Sequence, residues 1–123
     1  MKSTKEIADQ LVSLCRQGKF DQAVEELYSP DIVSIEPEGA PFSQRTKGLE
    51  EMQAKGEKWQ SMVEEMYGVE VSDPLVTDNH FSVSMAMDIK MKGGPRSKDA
   101  EICVYEVKDG KIVTEQFFYP TAG

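Results

Sequence analysis

Carboxylates are the side chains of this 123-residue chain best suited to chemistry, and three of them stand among apolar residues in the sequence. Glu36 ends a run of β-branched residues just before Pro37, while Glu101 and Glu115 alternate with apolar and aromatic residues nearer the C-terminus. Burial raises the pKa of a carboxyl group, by up to ~3–5 units when desolvation is complete, and a neighbouring carboxylate raises it further. Such a group can act as an acid or base near neutral pH. The alternative is that Glu101 and Glu115 lie at the edge of the apolar region, where they are solvated or bonded to tyrosine hydroxyls.

The sequence lacks the residues that most other chemistries need. Its one histidine, His80, sits beside a turn on the polar face of a predicted strand, so no zinc site and no histidine-dependent triad is expected. Cys15 and Cys103 are each embedded in apolar patterns, which indicates two buried, reduced thiols rather than a disulfide. No glycine-rich phosphate loop or dinucleotide fingerprint occurs. We therefore expect neither a metal nor a cofactor.

The charge of the chain limits its partners. The formal net charge is −8 and no basic stripe is present, so a nucleic acid or an anionic membrane would be repelled. No apolar run approaches the ~20 residues of a spanning helix, and the first ten residues contain no apolar signal core. These features predict a cytoplasmic protein. A length of 123 residues predicts one domain over 1–123.

Three helices are predicted before most of the strands. Ser3 and Glu6 form a capping-box pattern before an apolar helical repeat, which Gly18 ends. Asp21 can cap a short second helix. A long third helix is indicated by apolar residues at steps of three and four, namely Leu49, Met52, Gly56, Trp59, Val63 and Met66.

Strands account for most of the remaining chain. Residues 31–36 are predicted as a first strand, followed by a polar loop. After residue 68 we expect an antiparallel meander over 69–76, 80–91, 98–107 and 111–119. The strand from His80 to Met91 alternates most sharply, with Met85 and Met87 on its apolar face. Helices that precede the strands favour an α+β fold over an alternating α/β fold.

Two segments carry a resemblance to a known family. The run LYSPDIVSIEPEG at 27–39 and the ending VYEVKDGKIVTEQFFY at 104–119 resemble the SnoaL-like group of the nuclear transport factor 2-like superfamily, which includes ketosteroid isomerase. The resemblance implies a cystatin-like cone, in which helices pack in a curved antiparallel sheet that forms a half barrel around an internal apolar pocket. The fold does not imply a function, because the same cone serves isomerases, cyclases, dehydratases and binding domains.

The resemblance also assigns roles to single positions. It places Glu36 where ketosteroid isomerase has its general base, at the end of the first strand and before a proline. The oxyanion donors of that enzyme fall on Leu11 and Cys103. Neither side chain is a competent donor for an oxyanion, which argues against steroid isomerisation of that type.

The last hairpin decides which side chains face the pocket. A Lys108–Asp109–Gly110 loop with a one-residue bulge pairs Cys103 with Glu115 and Tyr105 with Val113, whereas a two-residue turn would change the register. In the superfamily pattern, the face of this hairpin that carries Cys103, Tyr105 and Glu115 lies inside the cone. The predicted ligand-binding residues are Trp59, Met85, Met87, Glu101, Cys103, Tyr105, Glu115, Phe117 and Tyr119.

The opposite face of the hairpin is too apolar to remain in water. Its apolar members are Ile102, Val104, Ile112 and Phe118. In relatives this outer face packs against a second copy, so the resemblance implies a homodimer through these residues.

Three functions fit these observations. The first is an enzyme in which Glu36 accepts a proton from a small apolar molecule of cyclic or polyketide-like form, oriented by Glu101, Tyr105 and Tyr119. The second is a binding domain for such a molecule without chemistry, which the missing oxyanion donors favour. The third is a dimerising scaffold whose cavity is filled by side chains.

Overall fold

Helices occupy much of the first half of the chain and strands most of the second, as an α+β fold requires. The computed structural model describes residues 1–121. In chain order the elements are α1 (Thr4–Arg16), α2 (Phe20–Leu27), β1 (Tyr28–Ile35), β2 (Arg45–Lys47), α3 (Gly48–Met62), β3 (Val63–Val71), β4 (Leu75–Val76), β5 (His80–Met91), β6 (Arg96–Lys108) and β7 (Lys111–Phe118). No helix within residues 1–121 has the length and apolar character needed to cross a membrane.

Helix α1 begins with the predicted capping box. The Ser3 hydroxyl accepts a hydrogen bond from the Glu6 backbone N–H at 3.1 Å, and the Glu6 carboxylate accepts one from the Ser3 N–H at 3.0 Å. Both bonds satisfy donors that a helix start leaves without partners. The second helix begins two residues earlier than predicted, so its N-cap is Lys19 and Asp21 lies in its first turn.

Replacing Ser3 by alanine should cost about 1 kcal/mol of unfolding free energy, because it removes the hydroxyl that accepts the bond from the Glu6 N–H and keeps only the bond that the backbone N–H of position 3 donates. Urea unfolding followed by circular dichroism would measure the loss. Ser13→Ala is the matched control, since Ser13 lies exposed within the same helix and alanine favours helix there. Equal stability of the Ser3→Ala variant and the unsubstituted chain would contradict the capping role.

One curved, unclosed sheet holds all seven strands of the described chain. Its order is β2-β1-β7-β6-β5-β3, and β4 pairs with β5. Every pairing is antiparallel except that of β1 with β7, which is parallel. Helix α1 packs against β3 and β5, and α3 packs against β1. The predicted fold class is therefore confirmed, with one parallel pair inside the sheet.

Two boundaries in the middle of the chain differ from the predictions. The third helix ends at Met62, and Val63 and Met66 belong to β3, which pairs with β5. Valine and tyrosine in this segment favour a strand, and pairing with the long β5 overrides the helical spacing. Residues 45–47, predicted as loop, form the short edge strand β2.

The turn between β6 and β7 also differs. It is a two-residue turn in which Asp109 and Gly110 both have positive φ, 52° and 73°, as a type I′ turn requires. An irregularity at Val113 then adds one residue to β7. Cys103 consequently pairs with Phe117 and Tyr105 with Glu115, not with Glu115 and Val113 as predicted.

The predicted inner face survives this error because the pairing moved by two residues, and side chains alternate with a period of two. Tyr105 and Glu115 both lie in the interior, as does Phe81, whose ring stacks on Tyr105 with centroids 4.7 Å apart. Ile112 is the exception. It lies before the irregularity, pairs with Val107 and is fully buried, so its placement on the outer face was wrong.

Candidate functional site

Three residues at alternate positions, two in β1 and one directly after it, point into the interior. Ile32, Ser34 and Glu36 are buried, whereas Val33 and Ile35 between them are only partly covered. The parallel pairing of β1 with β7 puts Ser34 beside Glu115. The period of two thus carries Ser34 and Glu36 to the same side of the sheet as the inner face of the last hairpin.

Glu36 is a buried carboxylate with two partners. Its side chain forms an ion pair with Lys55 of α3 and accepts a hydrogen bond from the Tyr119 hydroxyl. The Glu36 side chain is 5% exposed and that of Lys55 is 13% exposed. An ion pair at this depth is shielded from solvent, so its two charges interact more strongly than they would at the surface.

Lys55 links Glu36 to a second carboxylate. Its ammonium group donates to the Ser34 hydroxyl at 2.8 Å, and that hydroxyl donates to Glu115 Oε2 at 2.6 Å. The other Glu115 oxygen, Oε1, accepts a hydrogen bond from the Tyr28 hydroxyl. Burial raises the pKa of Glu115, and the hydrogen bonds from Ser34 and Tyr28 oppose that rise.

These contacts form one continuous chain of polar groups inside the cone. We call it the carboxylate network; its members in order are Tyr119, Glu36, Lys55, Ser34, Glu115 and Tyr28. Within residues 1–121 no buried side-chain nitrogen or oxygen lacks a hydrogen-bond partner. The network therefore satisfies its own polar atoms in the folded chain.

Glu101 lies beside the carboxylate network and has few partners of its own. Its carboxylate accepts only a weak bond from the Cys103 thiol, with sulfur and oxygen 3.6 Å apart. Burial raises the pKa of Glu101 to about 7, and the charges of Glu36 and Glu115 contribute to the rise. Across the sheet it pairs with Met85, so an apolar side chain flanks it.

Aromatic rings surround the ammonium group of Lys55. Its Nζ lies 5.2 Å from the centre of the Phe117 ring and 5.8 Å from that of Phe42. A cation within about 6 Å of a ring face is attracted by the quadrupole of that ring. The partly exposed part of the site thus combines one ammonium group, one hydroxyl from Tyr119 and apolar surface.

The structure brings together some of the predicted site residues and separates others. Glu36, Glu115 and Tyr119 share the network, with Phe117 and Glu101 beside it. Cys103 and Tyr105 are almost fully buried behind that surface, and burial raises the pKa of the Cys103 thiol. Trp59 packs edge-to-face on Phe20, 6.2 Å between centroids.

The two predicted methionines lie on β5. Met85 is buried in the core cluster, and Met87 is half-buried and packs against that cluster. Both therefore belong to the apolar wall of the cone, and of the two only Met85 neighbours a carboxyl group.

Three residues of the network were missed from the sequence. Lys55 was assigned to the solvent face of α3 because it is charged, although it lies three residues after Met52 and so on the same side. Ser34 could have been found from Glu36, since residues two apart in a strand share a face. Tyr28 carried no such signal, because an irregularity between Tyr28 and Val33 breaks the alternation.

Two surface depressions lie away from the carboxylate network. One of about 390 Å³ is lined by Val12, Arg16 and Pro74 among others, and one of about 240 Å³ by residues of β3, β5 and β6. The internal pocket expected from the sequence remains a prediction. The part of the chain that the structure describes contains no group of three histidine, cysteine or acidic side chains that could hold a metal ion.

The arrangement at Glu36 suits proton transfer to and from carbon. A carboxylate can accept a proton, and the neighbouring hydroxyl and ammonium groups can bind an oxygen of the same molecule. Glu101 provides a second carboxyl group that exchanges its proton near neutral pH. No sulfur nucleophile is available, because burial raises the pKa of both thiols, that of Cys15 to about 12.

Known proteins resemble this chain over nearly its whole length. Residues 2–119 match the family model of the SnoaL-like domain. No curated protein matches the chain. The resemblance that the sequence segments 27–39 and 104–119 indicated is thereby confirmed.

Solved structures agree with this match. A protein from Mesorhizobium loti, whose description names both a SnoaL-like polyketide cyclase and a carbohydrate phosphatase, is 32% identical with a TM-score of 0.89, covering 96% of this chain and 100% of its own. A nuclear transport factor 2-like protein of unknown function from Burkholderia pseudomallei has a TM-score of 0.83 at 15% identity, covering 99% and 94%. A protein with a cystatin-like fold from Xanthomonas campestris has a TM-score of 0.81 at 19% identity, covering 95% and 90%.

Proposed function

The chain belongs to the SnoaL-like domain family, and from this premise we propose that it is a cofactor-independent enzyme that moves a proton on a small apolar molecule. Glu36 is the proton acceptor. The substrate carries a carbonyl group and is cyclic or polyketide-like, as the description of the Mesorhizobium loti relative suggests. The bond that breaks is a C–H bond next to the carbonyl, and its electron pair moves to the carbonyl oxygen.

The observation that carries this proposal is the buried ion pair of Glu36. A general base must be unprotonated and must be held in a fixed position to reach the proton that it removes. Lys55 and the Tyr119 hydroxyl hold the Glu36 carboxylate from two sides at low exposure. Burying a charge is costly, so a buried carboxylate with dedicated partners favours a role beyond packing.

The remaining side chains supply orientation and an apolar wall. The Tyr119 hydroxyl contacts Glu36, the charge of Glu36 helps to raise the pKa of Glu101, and both Tyr119 and Glu101 are partly exposed. Phe117 and Met85 provide the apolar surface beside them. Tyr105 is buried and stacked on Phe81, so it orients the site through packing and not through direct contact with the substrate.

Exchange of carbon-bound hydrogen tests the proposal without knowledge of the natural substrate. Cyclic ketones are incubated with the protein in D₂O, and loss of the proton signal next to the carbonyl is followed by NMR. Glu36→Gln should slow exchange by about 10²–10⁴-fold while ketone binding persists. Glu38→Gln, two residues further along and exposed, is the matched control. Equal exchange in the Glu36→Gln and control variants would overturn the proposal.

A binding domain without turnover is the second candidate. It is favoured by the complete satisfaction of buried polar side chains in residues 1–121, since a network that satisfies itself also serves as a structural core. In that case a small apolar molecule would raise the melting temperature, and the unsubstituted chain would catalyse no exchange. A scaffold whose cavity is filled by side chains would show neither a higher melting temperature with the small molecule nor hydrogen exchange.

We also propose that the outer face of β6 and β7 binds a second copy of the chain. Ile102 and Phe118 are direct cross-strand partners and are 47% and 49% exposed, and Val104 beside them is half-buried. Adjacent apolar side chains at this exposure favour burial against a partner.

Ile102→Asp should convert the dimer to a monomer, because a buried dimer interface would then contain an unpaired charge. Sedimentation velocity measures the change in mass. Leu75→Asp, at an exposed leucine on β4, is the control and should leave the mass unchanged. A monomeric unsubstituted chain at micromolar concentration would contradict this proposal.

A further inference from the structure

Lys55 is the cation of the site that contacts the proposed base directly. Its ammonium group has three N–H donors. Within residues 1–121 its hydrogen-bond and ion-pair partners are Glu36 and the Ser34 hydroxyl. The rings of Phe42 and Phe117 lie beyond these partners, at 5.8 and 5.2 Å. Two partners leave one of the three N–H donors for a further acceptor.

Proton abstraction would move a negative charge across this ammonium group. Before the step the charge is on the Glu36 carboxylate. When the C–H bond breaks, the proton bonds to Glu36 and the electron pair becomes an enolate whose charge lies on oxygen. Glu36 is then neutral, and the new oxyanion needs a donor in a site that already holds Glu115 and Glu101. Without a cation, the oxyanion would be repelled by any of these carboxylates that is ionised.

We propose that Lys55 is a catalytic residue that binds the substrate oxygen and stabilises the enolate as the charge leaves Glu36. This inference rests on the proposed function. The ammonium group of Lys55 faces one negative charge before the step, on Glu36, and one after it, on the substrate oxygen, so the charge moves between two partners of the same cation. The substrate class is then narrowed to carbonyl compounds whose oxygen and acidic C–H can reach Lys55 and Glu36 together.

The rings around Lys55 fit this role. They leave the ammonium group poorly hydrated, and hydrogen bonds to an oxyanion are stronger where water is excluded. Lys58, on the same helix, also lies over the Phe42 ring, at 5.6 Å, but its ammonium group bonds to the Pro41 carbonyl oxygen, and within residues 1–121 it forms no hydrogen bond or ion pair with the network. Lys58 is therefore a matched control for the charge and for the ring contact.

Binding of 4-nitrophenol tests the inference, because its phenol and phenolate forms absorb at different wavelengths. The phenolate serves as a stable analogue of the enolate, because both carry a negative charge on oxygen. In Glu36→Gln the carboxylate no longer competes for Lys55, and we expect phenolate to bind about tenfold or more tightly than to the unsubstituted chain. Lys55→Met combined with Glu36→Gln removes both buried charges, which keeps the fold free of an unpaired charge. This double variant should lose the preference for phenolate, whereas Lys58→Met combined with Glu36→Gln should keep it.

Equal phenolate binding by Glu36→Gln and by the Lys55→Met double variant would overturn the inference, as would binding of the neutral phenol alone. The exchange experiment in D₂O is independent of this result. Exchange that depends on Glu36, together with phenolate binding that does not depend on Lys55, would leave the proposed function standing and remove the role of Lys55. Phenolate binding that depends on Lys55, without any exchange, would support the anion contact and overturn the proposed function.

Discussion

Lys55→Met should lower the free energy of unfolding by about 3–5 kcal/mol, because it leaves the Glu36 carboxylate buried without its counter-charge. The Glu36 side chain is 5% exposed, so water cannot replace the lost ammonium group. Urea unfolding near neutral pH, followed by circular dichroism, measures the effect. Lys58→Met on the exposed side of the same helix should stay within about 0.5 kcal/mol of the unsubstituted chain.

The double substitution Lys55→Met and Glu36→Gln separates the charge effect from packing. It removes both buried charges, so most of the stability lost in Lys55→Met should return. If the double variant were as unstable as Lys55→Met, the loss would come from the packing of the lysine stem against Phe117 and Phe42. If Lys55→Met itself cost less than about 1 kcal/mol, the ion pair would behave as a surface pair.

The stability of the unsubstituted chain should fall as the pH rises from 4.5 to 8, and Glu101 should account for a large part of the fall. Its pKa is about 7 in the folded chain against a reference of 4.5. Between these values the folded state holds the proton and the unfolded state has released it, so its stabilising effect is full below pH 4.5 and is lost as the pH passes through about 7. One pKa unit is worth about 1.4 kcal/mol, which makes the total roughly 3 kcal/mol.

Glu101→Gln isolates this contribution because it keeps the shape and removes the titration. Burial also raises the pKa of Glu115 in both proteins, and only the mutual repulsion of Glu115 and Glu101 remains in their difference, as part of the Glu101 contribution. The stability of Glu101→Gln relative to the unsubstituted chain should increase with pH by roughly 3 kcal/mol. Glu106→Gln, on the other face of β6, is the control. Parallel pH profiles for Glu101→Gln and the unsubstituted chain would show that Glu101 is solvated.

Local patterns predicted most of the fold. The bounds of β5 followed from the alternation of side chains, which a sheet with one buried face requires. The inner face of β6 and β7 was chosen from the family resemblance, and alternation along each strand then gave its members. The end of α3 did not follow, because Val63 and Met66 continue the helical spacing although they pair with β5. Pairing between distant segments is not encoded in local periodicity. The turn type was missed for a related reason: Asp109–Gly110 fits both the loop that was predicted and the type I′ turn that forms.

The site was predicted only in part. Glu36, Glu115 and Tyr119 were assigned from strand patterns and from the family resemblance, and they lie in one network. Lys55 could not be assigned in that way, because charged residues on amphipathic helices face water in most proteins. Lys55 lies inside the cone because β1 pairs with β7. This pairing brings two carboxylates and a hydroxyl to the side of the sheet that α3 covers.

That parallel pairing has a consequence for the synthesis of the protein on the ribosome. Ser34 and Glu115 are separated by 81 residues, which take roughly 4–16 s to translate at usual rates. Throughout this time β1 can pair with β2 but not with β7, and Glu36 has no Tyr119. The carboxylate network is therefore complete only after residue 119 has left the ribosome. Until then the nascent chain exposes an open strand edge, of the kind that chaperones protect and that otherwise promotes aggregation.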